Sequence, residues 1–369
     1  DSVWVEPLLS ALGNQLKNVA SMPALQQHAS NSLFCQNVVF YFQCARGVGQ
    51  SSTSHARRVC IAFLPIVCAI FTALSASHDV TVVLFKMLSE FIDFQDYSSC
   101  FDAKQGDQLQ DTSVETLLRS AGEAVGVLAR ITKEQGKCCS AEVDGEAEQA
   151  KQARWMCEVV RGMGMLASTS AQYRACVAAL SYVLECLKPD LLVYPSTCMS
   201  FFQMLAVVCR NAEEVLTLPA TLFGHICDML VAGVTSPTVA GIARLSLEVI
   251  VHIGGHLQRC SSPQSCLGQK ELVFRSARTI VAFALSAEFP VSLFDFAADA
   301  VYTLIHCDTD LFWQMATGIS QQQRGEERQG QVLHCFKSLC ECALRPKQTM
   351  HDFRRSFKDF VFVCKKFDW

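Results

Sequence analysis

The chain has 369 residues, 50% of them hydrophobic and 18% charged, with a formal net charge of −4. That excludes a disordered chain, which lacks the apolar residues to bury, and it lacks the positive field of a nucleic-acid binder, so no DNA partner is expected. Length alone suggests two or three globular domains, but a helical repeat array escapes that count.

Taken from the start, helical periodicity runs almost everywhere. Val59–Ser77 contains no charged residue and follows Arg57-Arg58. Such a run is long enough to span a bilayer. Pro65, Thr72, Ser75 and Ser77 dilute it, and its neighbours are amphipathic, so a helix buried on both sides is the favoured reading and a membrane is not. Val80, Val83, Leu84, Met87, Leu88 and Phe91 then form one stripe with the spacing of a single helix face. Leu222, Ile226, Met229 and Leu230 repeat it, and so do Phe353, Phe357, Phe360, Val361 and Cys364.

The breaks between stripes are regular. Pro189, Pro195, Pro219, Pro237 and Pro290 sit where helices start or short turns lie. Short turns force successive helices to run antiparallel. The spacing predicts about fifteen helices of roughly 15–25 residues, with no period-2 strand. Pairs recurring every ~40–47 residues are the spacing of HEAT-type repeats. The expected fold is therefore all-α, an α-solenoid of antiparallel helix pairs of the HEAT/armadillo type, continuous over 1–369. Three segments read as solvated loops: an acidic one near 95–111, a second acidic one near 136–149, and a Gln-rich one near 320–331.

The 20 cysteines are scattered, often at apolar helical positions such as Cys68, Cys157, Cys176, Cys209 and Cys227. No C-x-x-C pair and no N-x-S/T site occurs. Reduced thiols packed as small hydrophobes fit this better than a secreted disulfide framework.

Chemistry-bearing constellations are sparse. There is no G-x-S-x-G, P-loop, H-E-x-x-H or Rossmann glycine pattern, so no catalytic residue and no cofactor is assigned. His252, His256 and Cys260 fall at i, i+4 and i+8, a spacing that can hold zinc. No fourth ligand accompanies them, and Gly254-Gly255 is expected to loosen the helix between the histidines, so no metal is assigned. The tail from Arg345 is basic and carries five phenylalanines and Trp369. Such a patch can bind single-stranded nucleic acid or an acidic protein. Most of these Phe residues lie on the apolar stripe, which leaves Arg354, Arg355 and Lys358 on the solvated face. Asp96, Asp102, Asp107 and Asp111 of the first loop, with those three basic residues, are the expected partner surface.

Several stretches go beyond periodicity. Glu90-Phe91-Ile92-Asp93-Phe94-Gln95-Asp96 precedes the first acidic segment. Asp190-Leu191-Leu192-Val193-Tyr194-Pro195 is followed by Cys198 and Phe201-Phe202. Leu218-Pro219 precedes Leu222-Phe223, Gly233, Thr235 and Ser236. Ala297–Leu304 reads A-A-D-A-V-Y-T-L. In this order they resemble motifs of exportin-4-like nuclear export receptors in the importin-β superfamily, over more than half the chain. The segment 136–149 and the tail after Gln331 match nothing in that pattern. The resemblance implies a superhelical receptor that binds a cargo protein together with Ran-GTP, contacts FG-repeat nucleoporins, and shuttles between nucleus and cytoplasm. It also implies that N-terminal repeats forming the main Ran site lie outside this chain. A generic HEAT scaffold of a cytoplasmic complex remains the alternative, and behind it a membrane-associated helical protein using Val59–Ser77.

Overall fold

The computed structural model describes residues 2–49, 54–75, 77–93, 107–138, 143–211, 213–235, 240–260, 266–286, 288–323, 325–346 and 349–367. Among the described residues there are fifteen α-helices, a few 3-10 turns and no strand. The fold is an all-α array of antiparallel helix pairs, as the spacing predicted. By contact it divides into two compact units, residues 1–208 and 209–369.

The first unit holds α1 (Ser2–Ala20), α2 (Ser32–Gly49), α3 (Ser54–Leu74), α4 (His78–Asp93), α5 (Asp107–Cys138), α6 (Val143–Leu166), α7 (Ser170–Cys186) and most of α8 (Pro195–Asn211). Two rows interleave. Helices α1, α3, α5 and α7 pack in succession, α2, α4 and α6 form the second row, and sequence neighbours join the rows. This neighbour-only packing is what a solenoid of short-turn hairpins must produce. The stripe on α4 is the core face, with Val80, Val83, Leu84, Met87 and Leu88 all buried.

Helix starts and stops follow local chemistry. At α7 the Thr169 hydroxyl accepts the Gln172 amide (3.3 Å), and Gln172 Oε1 accepts the amides of Ser168 (2.8 Å) and Thr169 (3.3 Å). That capping box satisfies donors the first helical turn cannot satisfy itself. Pro189 then opens a 3-10 turn, Pro189–Val193, and Pro195 opens α8.

Most of the uncharged run lies in α3, where Leu64, Val67, Cys68, Ile70, Phe71 and Leu74 are buried but Pro65, Ala69 and Thr72 are exposed, so the helix buries one face and not both as expected. Among the described residues no helix is long and apolar enough to cross a membrane.

The second unit holds α9 (Ala220–Thr235), α10 (Ala240–Arg259), α11 (Leu267–Leu285), α12 (Phe294–Cys307), α13 (Thr309–Ser320), α14 (Glu326–Ala343) and α15 (Met350–Cys364). Helices α9, α11 and α13 form one row, and α10 and α12 the other. The alternation then changes. Helix α15 rather than α14 docks on α12, while α14 packs on α13 and α15.

The three segments expected to be loops are shorter than expected. Helix α5 begins at Asp107, so only the part before it separates α4 from α5. Helix α5 also runs on to Cys138, and α6 starts at Val143, which makes Glu146 and Glu148 helical. Between Ser320 and Glu326 only a short turn remains, with Gly325 at φ +97° just before α14. The two acidic segments share one physical reason. Acidic residues are favoured in a helix's first turn, where the backbone N–H groups and the dipole attract negative charge. A run rich in Asp and Glu therefore reads as loop when it is the start of a helix.

Burial also explains the cysteines. Among the described ones only Cys44, Cys198, Cys260 and Cys335 are half-buried, and the other twelve are buried. Burial pushes the thiols of Cys68, Cys186, Cys209 and Cys227 up to about 12 and that of Cys307 to about 11. Thiolate is then scarce at neutral pH, and thiolate is the reactive form. Titration of the reduced native chain with a thiol reagent should show a small fast class and a much larger class only after unfolding. A majority reacting fast in the native state would contradict this packing.

Candidate interaction surface

The basic tail folds into α15. Its first turn is closed by Thr349, whose hydroxyl accepts the Asp352 amide (3.2 Å) and donates to Asp352 Oδ2 (2.6 Å). Those bonds to Thr349 hold the Asp352 carboxyl below its ordinary range. Phe353, Phe357, Phe360, Val361 and Cys364 are all buried, so the stripe is core.

The flanking basic residues do not all point to solvent. Arg354 donates from Nε and Nη2 to the two carboxylate oxygens of Asp299 on α12, at 2.7 and 2.6 Å. Lys358 pairs with Asp295 at 2.8 Å. Lys365 lies over the Phe294 ring at 5.4 Å, and Phe353 meets Tyr302 edge-on at 5.1 Å. Helix α15 thus lays an antiparallel row onto a face of α12. Two acidic residues four apart meet two basic residues four apart. The hydrogen bond from Lys358, with its charge, holds the Asp295 carboxyl below its ordinary range.

Of the three basic residues expected on a partner surface, Arg354 and Lys358 are therefore engaged within the chain. Arg355 is exposed and makes no ion pair among the described residues. Asp96 and Asp102 lie outside the described residues. Asp107 and Asp111 are in the first turns of α5.

The Arg354–Asp299 fork is bidentate, the geometry in which an ion pair is strongest. It is also partly exposed, with side-chain exposures of 38% and 21%. Arg354→Glu is expected to destabilise the second unit by about 1 kcal/mol after solvent screening, more at low salt than at high. The exchanged pair Arg354→Glu with Asp299→Arg should recover part of that loss, read by amide exchange in α12 and α15. Equal exchange in all forms would show the pair to be idle.

One exposed feature was not expected from sequence. Phe362 on α15 is 67% exposed, Val363 39% and Leu344, just after α14, 49%. Val363 also lines a cleft of about 360 Å³ between α14 and α15, with His334, Cys335, Leu339, Arg345 and Asp359 among others. The 350s stripe hid Phe362, because it falls two residues past Phe360 on the opposite face of the helix. A second cleft of about 540 Å³ in the first unit is lined by Thr72, Glu123, Arg130, Lys133, Tyr182 and Glu185 among others.

The histidine constellation resolves differently from a metal site. His256 is buried and donates from Nε2 to the Cys209 carbonyl (2.8 Å), in the last turn of α8. Its Nδ1 accepts from Arg259 Nη2 (2.9 Å). His252 Nε2 accepts from Arg210 Nε at 3.4 Å. His256 thus caps a carbonyl at the end of α8. Among the described residues no group of three His, Cys, Asp or Glu side chains is placed to hold a metal ion.

Gly254-Gly255 does not loosen α10, which is continuous from Ala240 to Arg259. A Cβ on Gly254 would lie 2.8 Å from Thr303 Cγ2 on α12. The glycine is there for close approach of two helices.

Burial, with Arg210 and His256 nearby, lowers the His252 pKa from 6.5 to about 4. The unfolded chain therefore binds a proton between those values that the folded chain does not. Stability should fall as pH drops from about 6.5 toward about 4. His252→Gln should flatten that part of the profile in urea unfolding. An unchanged slope would remove His252 as its source.

No protein-family model matches this chain, and no curated protein matches it. Among solved structures, a crystal structure of an engineered protein aligns over 97% of this chain and 98% of its own at 12% identity. The TM-score of that alignment is 0.23, which is too low to carry a statement about fold or function.

Proposed function

We propose that this chain is part of a nuclear export receptor, binding a cargo protein together with Ran-GTP and meeting FG-repeat nucleoporins as it shuttles between nucleus and cytoplasm. The observation that carries this reading is the order of the exportin-like motifs between residues 90 and 304, set on an array of antiparallel helix pairs. Stacked repeats of this kind present extended surfaces and flex, because each repeat touches only its neighbours. The receptor would do no chemistry of its own, since nucleotide hydrolysis belongs to Ran.

The motif residues have structural roles here. Leu191, Phe201 and Phe202 are buried around the turn into α8. Pro219 precedes α9, where its carbonyl accepts the Phe223 amide (2.9 Å). Ala297, Ala298, Ala300, Val301 and Leu304 form the buried face of α12, and Asp299 is the acceptor of Arg354. A generic helical scaffold would keep the same core, so those residues also favour the second reading, a scaffold with no transport role.

Partner binding separates the two. The purified chain would be passed over immobilised FG-repeat nucleoporin, and a fluorescent fusion would be added to permeabilised cells. A transport receptor is retained on FG repeats and gathers at the nuclear rim. Absence of both, from a chain shown by circular dichroism to be folded, would leave the scaffold reading.

A further inference from the structure

The sulfurs of Cys260 and Cys266 stand 2.8 Å apart. That is less than an ångström beyond the ~2.05 Å of a disulfide bond. Their positions favour reaction over packing. Cys260 directly follows the last residue of α10. Cys266 is the N-cap residue of α11, with φ −112° and ψ 10°, and its side chain makes no capping hydrogen bond. Neither lies in a helix interior. Cys260 is half-buried and so reachable by a small molecule, whereas Cys157, Cys209 and Cys227 are enclosed in the core. The spacing C-x5-C matches no redox motif, which is why the sequence pattern passes over it.

We propose that Cys260 and Cys266 form a redox-active pair that closes a reversible intrachain disulfide by exchange with a low-molecular-weight disulfide such as oxidised glutathione. Cys260, as thiolate, attacks one sulfur of the glutathione disulfide. That S–S bond breaks and one glutathione leaves as thiol, with Cys260 now in a mixed disulfide. Cys266, as thiolate, then attacks the Cys260 sulfur and expels the second glutathione. The chain has lost two electrons and two protons, and glutathione disulfide has gained them. The bond ties the end of α10 to the start of α11. Reduced glutathione reverses both steps.

The two sulfurs can be read without interference from the other cysteines. Trypsin cuts after Arg259 and Lys270, releasing a peptide of residues 260–270 that holds these two cysteines and no others. The native chain would be equilibrated in glutathione buffers of increasing oxidised fraction, quenched with N-ethylmaleimide in denaturant, digested and weighed. In reducing buffer the peptide should carry two maleimides. In oxidising buffer it should carry none and be lighter by two hydrogens. The internal disulfide should exceed the glutathione adduct by about tenfold or more, because a tethered second thiol acts at a millimolar or higher effective concentration. Cys260→Ser should remove the internal disulfide and leave Cys266 either untouched or holding glutathione. The proposal is overturned if the wild-type peptide keeps two maleimides throughout, or if it accumulates glutathione adducts in place of the internal bond.

Discussion

Replacing Phe336 by alanine is expected to cost about 3–5 kcal/mol and to loosen the last three helices together. The ring is fully buried on α14. It meets Phe312 of α13 edge-on, with centroids 6.2 Å apart, and Phe360 of α15 at 4.9 Å. Phe360 in turn lies 5.9 Å from Phe357. Removing Phe336 therefore deletes both its own burial and the partner of two other rings, and a site walled by three helices collapses only partly onto the gap. The control is Phe362→Ala on α15. That side chain is 67% exposed, so its loss should stay within about 0.5 kcal/mol. Because the chain forms two compact units, a single melting temperature is a poor measure, and amide exchange in α13–α15 is the better one. Phe336→Ala should raise exchange across all three helices, and Phe362→Ala should not. Equal effects from the two would mean that α14 is not packed between its neighbours as described.

That pair of residues also shows what the sequence carries and what it does not. Phe357 and Phe360 are legible as core because their spacing follows the helix, as are Val80, Val83, Leu84, Met87 and Leu88 on α4. A stripe is a local pattern, and burial of one helix face is a local consequence. Prolines are similarly local, so Pro189 and Pro195 could be placed at their turns. What failed needed information from far along the chain. Arg354 read as solvated because its acceptor, Asp299, lies 55 residues earlier on another helix. Nothing in the periodicity of either helix sets the register between them. The acidic stretches failed for a different reason. Asp107, Asp111, Glu146 and Glu148 look like solvent-facing loop, yet all four are helical, and Asp107 and Glu146 fall in first turns, where helix N-termini select acidic residues. The candidate surface was less legible than the fold, because an exposed residue such as Phe362 breaks no helical rule and leaves no mark in the pattern.

Gly254 is the sharpest test of how closely α10 and α12 approach. In an isolated helix, alanine for glycine would stabilise by roughly 0.5–1 kcal/mol, because it reduces backbone freedom in the unfolded chain. Here the added Cβ would sit 2.8 Å from Thr303 Cγ2, closer than carbon atoms tolerate. Thr303 cannot simply turn away. Its side chain is β-branched, and its hydroxyl is held by a 2.8 Å hydrogen bond to the Asp299 carbonyl one turn earlier. The helices must then separate, and overpacking of this kind costs about 1–3 kcal/mol, which exceeds the helical gain. Gly254→Ala is expected to destabilise the second unit by the difference. Thr303→Ser removes the offending methyl and keeps the hydroxyl. The double variant should therefore recover the stability lost by Gly254→Ala and gain part of the helical benefit, while Thr303→Ser alone should lose a little packing. Denaturant unfolding of the four proteins gives the coupling directly. Additive effects, or a Gly254→Ala protein more stable than the parent, would mean that the two helices stand further apart at this point than the 2.8 Å approach requires.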